Sequence, residues 1–68
     1  MNNNFRIAIY DMTIEDVTER RKNRIEYDST KKASAKLGIS ETIIKRVAKN
    51  KDKIYIKSLD KTVAIRHI

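Results

Sequence analysis

The chain of 68 residues contains a single glycine, Gly38, and no proline. Gly38 is therefore the one residue that adopts positive φ at little cost, and it marks where a helix ends. Asp28 or Ser29 is a good N-cap for a short helix that runs to about Lys36, just before this glycine. The single glycine thus predicts the end of this helix more clearly than any other feature of the sequence does.

A second helix is predicted directly after the glycine. Ser40 is a good N-cap, and the helical pattern then continues over residues 41–50. Only about three residues separate the two predicted helices, which forces a sharp angle between them. Helices in this arrangement form a helix-turn-helix, here over about residues 29–50.

The second predicted helix has two different faces. At about 100° per residue, its branched apolar side chains collect on one face, which must be buried. Ala33 and Leu37 of the first helix offer a small residue and an anchor for this packing. Glu41 is the only acid of the second helix, and the helix dipole favours it at the N-terminus. The predicted buried face holds Ile43, Ile44 and Val47, and the outward face holds Thr42, Lys45, Arg46 and Lys49.

The sequence before these helices is less clearly patterned. Residues 5–10, from Phe5 to Tyr10, alternate with period two and predict a strand. Thr13 is then a candidate N-cap for a helix with acids in its first turn and bases near Lys22. The alternative is a long loop, and either segment leads to a short strand over residues 24–27.

Residues 53–57 and 62–67 alternate as two strands around Asp60, which favours a turn. A β-hairpin that directly follows a recognition helix is a wing. We therefore expect an α+β fold, a winged helix-turn-helix with a short N-terminal strand, two or three helices and a C-terminal β-hairpin. The chain is expected to form a single domain over residues 1–68, with the wing at about 53–67.

Charge and composition narrow the function. Sixteen Lys and Arg against nine Asp and Glu give a formal net charge of +7. Residues 35–68 carry nine of the bases and only three of the acids. The chain has no Cys for a disulfide or thiolate site, and no apolar run for a membrane span or signal peptide. A small basic module of this kind is expected in the cytoplasm, with nucleic acid as the first partner to test.

The segment Ser29-Thr30-Lys31-Lys32-Ala33-Ser34-Ala35-Lys36-Leu37-Gly38-Ile39-Ser40, followed by Ile44, also carries a resemblance. It resembles the helix-turn-helix of the nuclease-associated modular DNA-binding domains of homing endonucleases and phage proteins, over roughly residues 25–50. Ser34 stands where those domains usually have Ala. The 68 residues themselves contain no nuclease domain, so we expect from the resemblance binding without cleavage. It implies sequence-reading positions at Ser40, Glu41, Thr42, Lys45, Arg46 and Lys49.

The predicted function is sequence-specific or semi-specific binding of double-stranded DNA, as a small phage-type transcriptional regulator. The second helix would lie in the major groove, with Arg46 as the candidate for a bidentate guanine contact. Lys45 and Lys49, as point charges, suit phosphate. We expect no catalysis, cofactor, metal or membrane contact, and a homodimer or host protein as a further partner. The predicted DNA-binding residues are Ser40, Glu41, Thr42, Lys45, Arg46, Lys49 and the hairpin lysines Lys53, Lys57 and Lys61.

Two other functions are open at this point. A small basic factor could dock on an acidic host protein, and an exposed apolar patch would favour that function. Hairpin lysines on the same side of the protein as Lys45 and Arg46 would instead favour DNA binding. A metal-dependent nuclease site would need the acids between Asp11 and Glu19 as metal ligands. A helix start whose acids match the helix dipole explains these residues more simply. His67 has no Cys or second His with which to hold zinc. Tyr55 is either a base-stacking residue or a half-buried sheet tyrosine.

Overall fold

A computed structural model describes residues 6–68 of the chain. Over these residues the chain forms a small α+β fold with three helices and a four-stranded antiparallel sheet. The first residue of the predicted N-terminal strand, Phe5, lies outside the described part. The elements in chain order are β1 (Ile7–Asp11), α1 (Val17–Lys22), β2 (Ile25–Tyr27), α2 (Thr30–Leu37), α3 (Glu41–Lys49), β3 (Lys53–Ile56) and β4 (Lys61–His67).

The strands lie in the order β2-β1-β4-β3. Ile9 of β1 stands opposite Ile65 of β4 and Ile25 of β2, and Val63 of β4 stands opposite Ile54 of β3. Since side chains alternate across a strand, these branched residues share one face of the sheet. The predicted hairpin of the last two strands is confirmed. However, β4 also pairs with β1, so the hairpin forms half of the sheet.

Helices α2 and α3 cover the branched face of the sheet. The core contains Ala33 and Leu37 from α2, and Ile44, Val47 and Ala48 from α3. The predicted inward face of α3 is thus confirmed for Ile44 and Val47, while Ile43 is half-buried at the edge of the core. The strands contribute the remaining buried side chains of this core, namely Ile7, Ile9, Ile56, Val63 and Ile65.

The turn between α2 and α3 follows the local signals in the sequence. The Ser29 hydroxyl accepts the Lys32 amide proton, and the Ser40 hydroxyl accepts that of Ile43, each at 3.2 Å. Gly38 ends α2 in the left-handed region at φ 72° and donates its N–H to the Ser34 carbonyl. The predicted caps at Ser29 and Ser40 and the role of Gly38 are therefore confirmed.

The predicted start of α1 at Thr13 is wrong. The helix begins at Val17, where the Asp16 carboxylate caps it by accepting the Glu19 N–H at 2.9 Å. Thr13 instead folds back on the end of β1, donating both its N–H (2.9 Å) and its hydroxyl (2.5 Å) to Asp11 Oδ1. A threonine held by the preceding strand is not available to cap a helix, so the helix starts at the next side chain that can. With none of its six residues buried, α1 has no apolar stripe to extend it.

Candidate nucleic-acid interface

The outward face of α3 is cationic. Ile44, Val47 and Ala48 anchor the helix to the core, which leaves the residues predicted to face outward at the surface. Thr42, Lys45, Arg46 and Lys49 are all exposed. Three positive charges within two turns thus lie on one side of a helix that is fixed on its other side.

The single acid of α3 is directed away from this face. The Thr30 hydroxyl, at the start of α2, donates a 2.9 Å hydrogen bond to Glu41 Oε1. Thr30 is only 6 % exposed, so this bond satisfies the one buried polar residue among those described. Glu41, predicted to lie at the base edges, is therefore engaged at the junction of the two helices, where the α3 dipole also favours a carboxylate.

A cleft of about 470 Å³ continues the cationic face of α3 toward the sheet. We refer to it as the α3–β4 cleft. Lys45 and Lys49 belong both to the outward face of α3 and to this cleft. The chain segment after α3 and the end of β4 complete its walls. The cleft is lined by Lys45, Ala48, Lys49, Lys51, Arg66 and His67.

Besides Ala48 of the core, three polar or charged residues of this cleft were not among the predicted site residues: Lys51, Arg66 and His67. Lys51 follows α3 immediately, and its place in the basic run 45–61 was the only local signal. His67 lies on the sheet face that packs under α3. Arg66 lies on the other face by alternation, and its Nη1 donates to the carbonyl of Asp52, in the chain segment after α3. Sequence periodicity alone gives no information on this pairing.

The predicted hairpin lysines occupy three different places. Ile54 and Ile56 pack against the core, so alternation puts Lys53 on the opposite face of the sheet from α3. Lys61 Nζ lies 2.9 Å from Asp11 Oδ2 in a partly buried ion pair. Lys57 is exposed in the turn, beside Ser58, whose hydroxyl donates to the Leu37 carbonyl at 3.0 Å. Of the three, Lys57 alone lies in a turn that contacts the α2–α3 pair.

An apolar hollow lies at the other end of the sheet, where β1 ends and the hairpin turns. It measures about 290 Å³, and Ile25 and Leu59 on its rim are 49 % and 37 % exposed. Ile9 and Val63, which are themselves buried, form its floor together with the Asp11–Lys61 pair. This is the kind of exposed apolar feature that the protein-docking alternative requires.

The acids considered for a metal site have separate structural roles. Asp11 accepts from Thr13 and Lys61, and these bonds, with Thr13 first, lower its pKa from 3.8 to about 2. Asp16 caps α1. Within residues 6–68 no three His, Asp or Glu side chains come together in a way that could hold a metal ion.

Tyr55 is 54 % exposed on the sheet face opposite α3, which agrees with the half-buried sheet tyrosine of the alternative interpretation. Its hydroxyl donates to the Asp60 carboxylate, and this bond raises the pKa of Tyr55. Asp60 itself adopts φ 54° in the hairpin turn, a conformation that Asp tolerates. The Tyr55 ring is thus fixed by the turn of the hairpin.

Comparisons of the chain with protein-family models, with curated proteins and with solved structures found no match. Among residues 6–68, none of the helices has the length and apolar character needed to cross a bilayer. The charges and contacts described above are therefore the basis on which a function is proposed.

Proposed function

We propose that the chain binds double-stranded DNA through a helix-turn-helix formed by α2 and α3, with α3 in the major groove. The observation that carries the proposal is that the exposed face of α3 carries charge of one sign, which is positive. Its exposed side presents Lys45, Arg46 and Lys49, while its only acid is held by Thr30. An ordinary solvated helix face mixes both signs, and a surface of one sign is what a phosphate backbone attracts.

Each exposed residue of α3 has a role in this proposal. Ser40 and Thr42, at the N-terminal end, lie nearest the base edges, as in other recognition helices. Arg46 makes a bidentate contact with guanine, because its planar fork matches two acceptors at once. Lys45 and Lys49 contact phosphates and set the position of the helix. Glu41 positions α3 through Thr30 and does not read bases.

We propose further that the fold is a winged helix-turn-helix in which the β3–β4 hairpin takes the place of the wing. The turn at 57–60 would be its tip, and Lys57 its exposed cation. Lys53 and Lys61 contribute less in this arrangement, since one lies on the opposite sheet face and the other is paired with Asp11. The proposed wing therefore contacts DNA through its turn.

A reader of this size covers few base pairs, so useful specificity requires a dimer or a partner protein. We propose a small transcriptional regulator of phage type that acts in the cytoplasm, the host cytoplasm if it is phage-encoded. It has no catalytic activity of its own.

The experiment is a fluorescence-anisotropy titration of a labelled random duplex at about 50 and about 200 mM salt, the range over which phosphate contacts lose most of their strength. Wild type is expected to bind at the lower salt and weaken steeply at the higher. Lys49→Ala should bind less tightly and with a shallower salt dependence. Lys22→Ala on α1 removes the same charge from another exposed helix position and should match wild type. Absence of binding at about 50 mM salt would reject the proposal.

A second function is favoured by the apolar hollow at Ile25 and Leu59: docking on an acidic host protein, with the basic surface as the complementary charge. The same titration separates the two. A docking factor would leave random duplex unbound at low salt. Replacing Ile25, which lies on the rim of the hollow and outside the proposed DNA surface, with Ser would not affect a DNA reader.

A further inference from the structure

The sheet has a second face, on the side away from α3. Alternation places Tyr10, Ala64 and Lys53 there in one row across β1, β4 and β3. Arg66 lies on one side of this row and Tyr55 lies on the other. Helix α1 lies against this face, which we therefore call the α1 face. We define it by Tyr10, Lys53, Tyr55, Thr62, Ala64 and Arg66.

Two arginines of α1 add to the positive charge of the α1 face. Arg20 and Arg21 line a hollow of about 260 Å³ together with Tyr10 and Arg66. The guanidinium groups of Arg20 and Arg66 donate to main-chain carbonyls, which orient them without neutralising their charge. Within residues 6–68, none of these three arginines forms an ion pair with a carboxylate. Three guanidinium charges are thus held together from a helix and a strand.

Two acids lie at the edges of the α1 face, and each is engaged. Glu26 of β2 lies on this side of the sheet by alternation, and its carboxylate is shared by Arg24 at 2.8 Å and Arg6 at 3.8 Å. Asp60, in the hairpin turn, accepts a hydrogen bond from the Tyr55 hydroxyl. The cations of the face therefore outnumber its acids, and the excess charge creates a potential that attracts an anionic partner.

Tyr55 adds an aromatic surface beside these charges. It is about half exposed, and the bond from its hydroxyl to Asp60 fixes the ring. Lys53 is exposed two residues earlier on the same face of β3. Proteins bind single-stranded nucleic acid with exposed rings and cations side by side, because every base has a π-face for stacking while the cations follow the phosphates. In a duplex the base faces are already stacked on one another, so an exposed ring favours a single strand.

We propose that the α1 face binds a single strand of nucleic acid, with a base stacked on Tyr55 and phosphates at Arg21 and Arg66. This surface lies on the other side of the sheet from α3, so the inference goes beyond the proposed duplex binding and does not rest on it. A chain that held a duplex on α3 would leave the α1 face open to a single strand. An acidic peptide matches the charges but has no base to stack on the ring.

The test is a fluorescence-anisotropy titration of a labelled oligothymidylate of about 12 nucleotides, within the range of site sizes of single-strand binding folds. Tyr55→Ala should weaken binding about five-fold or more, the effect of one lost stacking contact. Tyr55→Phe keeps the ring and should keep most of the affinity. Both substitutions remove the donor to Asp60, so a loss that is confined to Tyr55→Ala comes from the ring. Urea midpoints show whether either variant is unfolded.

Arg21→Ala tests the charge of the face without touching the sheet. It should lower the slope of log K against log salt by about 0.7, the value of one phosphate contact on a single strand. Lys22→Ala removes the same charge from the next residue of α1, which lies outside the hollow, and should change the slope little. Lys49→Ala on α3 should leave oligothymidylate binding unchanged, and Tyr55→Ala should leave duplex binding unchanged.

Wild type gives a readout that needs no substitution. Backbone amides are followed by ¹⁵N NMR as unlabelled oligothymidylate is added. The amides of Tyr10, Lys53, Tyr55 and Arg66 should shift, and those of the exposed α3 residues should not. An oligoglutamate of equal charge is the comparison, and it should compete for the face less well than oligothymidylate.

The outcomes separate this inference from the proposed function. Single-strand binding on the α1 face without duplex binding would support the inference while the proposed function fails. Absence of oligothymidylate binding at about 50 mM salt, where phosphate contacts are strong, would overturn the inference whether or not a duplex binds. Dependence on Lys49 but not on Arg21 or Tyr55 would place the strand on α3 and overturn it as well. If oligoglutamate competes equally and shifts the same amides, the face takes an acidic protein and the inference is wrong.

Discussion

The hydroxyl of Thr30 donates a 2.9 Å hydrogen bond to the carboxylate of Glu41, joining the first residue of α2 to the first residue of α3. Thr30 is buried and Glu41 is half-exposed, so the bond runs from the core to the surface between the two helices. It links the starts of the two helices and holds the only acid of α3 away from the cationic face. One contact thus serves the fold and the charge of the proposed DNA surface.

Replacing Glu41 with Ala should separate these two effects. The change leaves the buried Thr30 hydroxyl without its acceptor and removes a charge favoured by the helix dipole. Together these should lower the free energy of unfolding by about 1–3 kcal/mol. Glu41→Gln keeps an acceptor oxygen and should lose less, as measured by urea unfolding.

DNA affinity at low salt should not fall in Glu41→Gln, because a negative charge near the phosphates has been removed. A loss of base preference in this variant, at unchanged stability, would instead return Glu41 to the base-reading positions.

Gly38→Ala should lower the free energy of unfolding by about 1–2 kcal/mol, the cost of a Cβ in the left-handed region. A Cβ built at this position has no other atom within 4 Å, so the penalty comes from φ 72° and not from a clash. Gly38→Asn is the matched control, since Asn tolerates this conformation better and should cost less. Equal losses in the two variants, followed by urea unfolding, would show that the backbone angle is not the cause.

Stability should depend on acid pH through Asp11. Bonds from Thr13 and Lys61 lower the pKa of Asp11 to about 2 in the folded chain. A carboxyl whose pKa is lower when folded stabilises the fold above its unfolded value near 3.8, and this contribution is lost as pH falls toward 2. Because the pair is partly exposed, solvent screening limits the effect to about 1 kcal/mol or less. Urea midpoints between pH 5 and 2 should fall less steeply in Asp11→Asn than in wild type.

The sequence predicted α2, α3 and the turn between them closely, because each boundary depends on one residue and its immediate neighbours. The capping hydrogen bonds of Ser29, Gly38 and Ser40 reach partners only three or four residues away. Even so, no pattern in the sequence predicted the hydrogen bond that the Ser34 hydroxyl donates to the Ile39 carbonyl at 2.6 Å across the turn. The error at Thr13 also comes from a local contact: the Asp11 carboxylate, two residues earlier, accepts from the N–H and the hydroxyl of Thr13, which otherwise could cap a helix.

The cleft could not be predicted in this way. Lys45 and Lys49 were found from helical periodicity, whereas Arg66 and His67 join them only through the long-range pairing that brings the end of β4 beside the chain segment after α3. Strand order is decided by long-range pairing, and the alternation of β4 fits an edge strand as well as a central one. The same pairing moves Lys53 to the opposite face of the sheet, away from the surface to which the sequence assigned it.

Arg46 gives the sharpest test of how α3 would read DNA. Arg46→Ala should cost about 1–3 kcal/mol of binding free energy at the preferred sequence and relax the preference at one base position. Arg46→Lys keeps the charge but not the planar fork, so it should keep the salt dependence of wild type while losing the same base preference. Binding of duplexes selected by wild type, and of their single-base variants, would be measured for both. If Arg46→Lys keeps the full preference, Arg46 contacts phosphate as Lys45 and Lys49 are proposed to do, and base reading must come from Ser40 and Thr42.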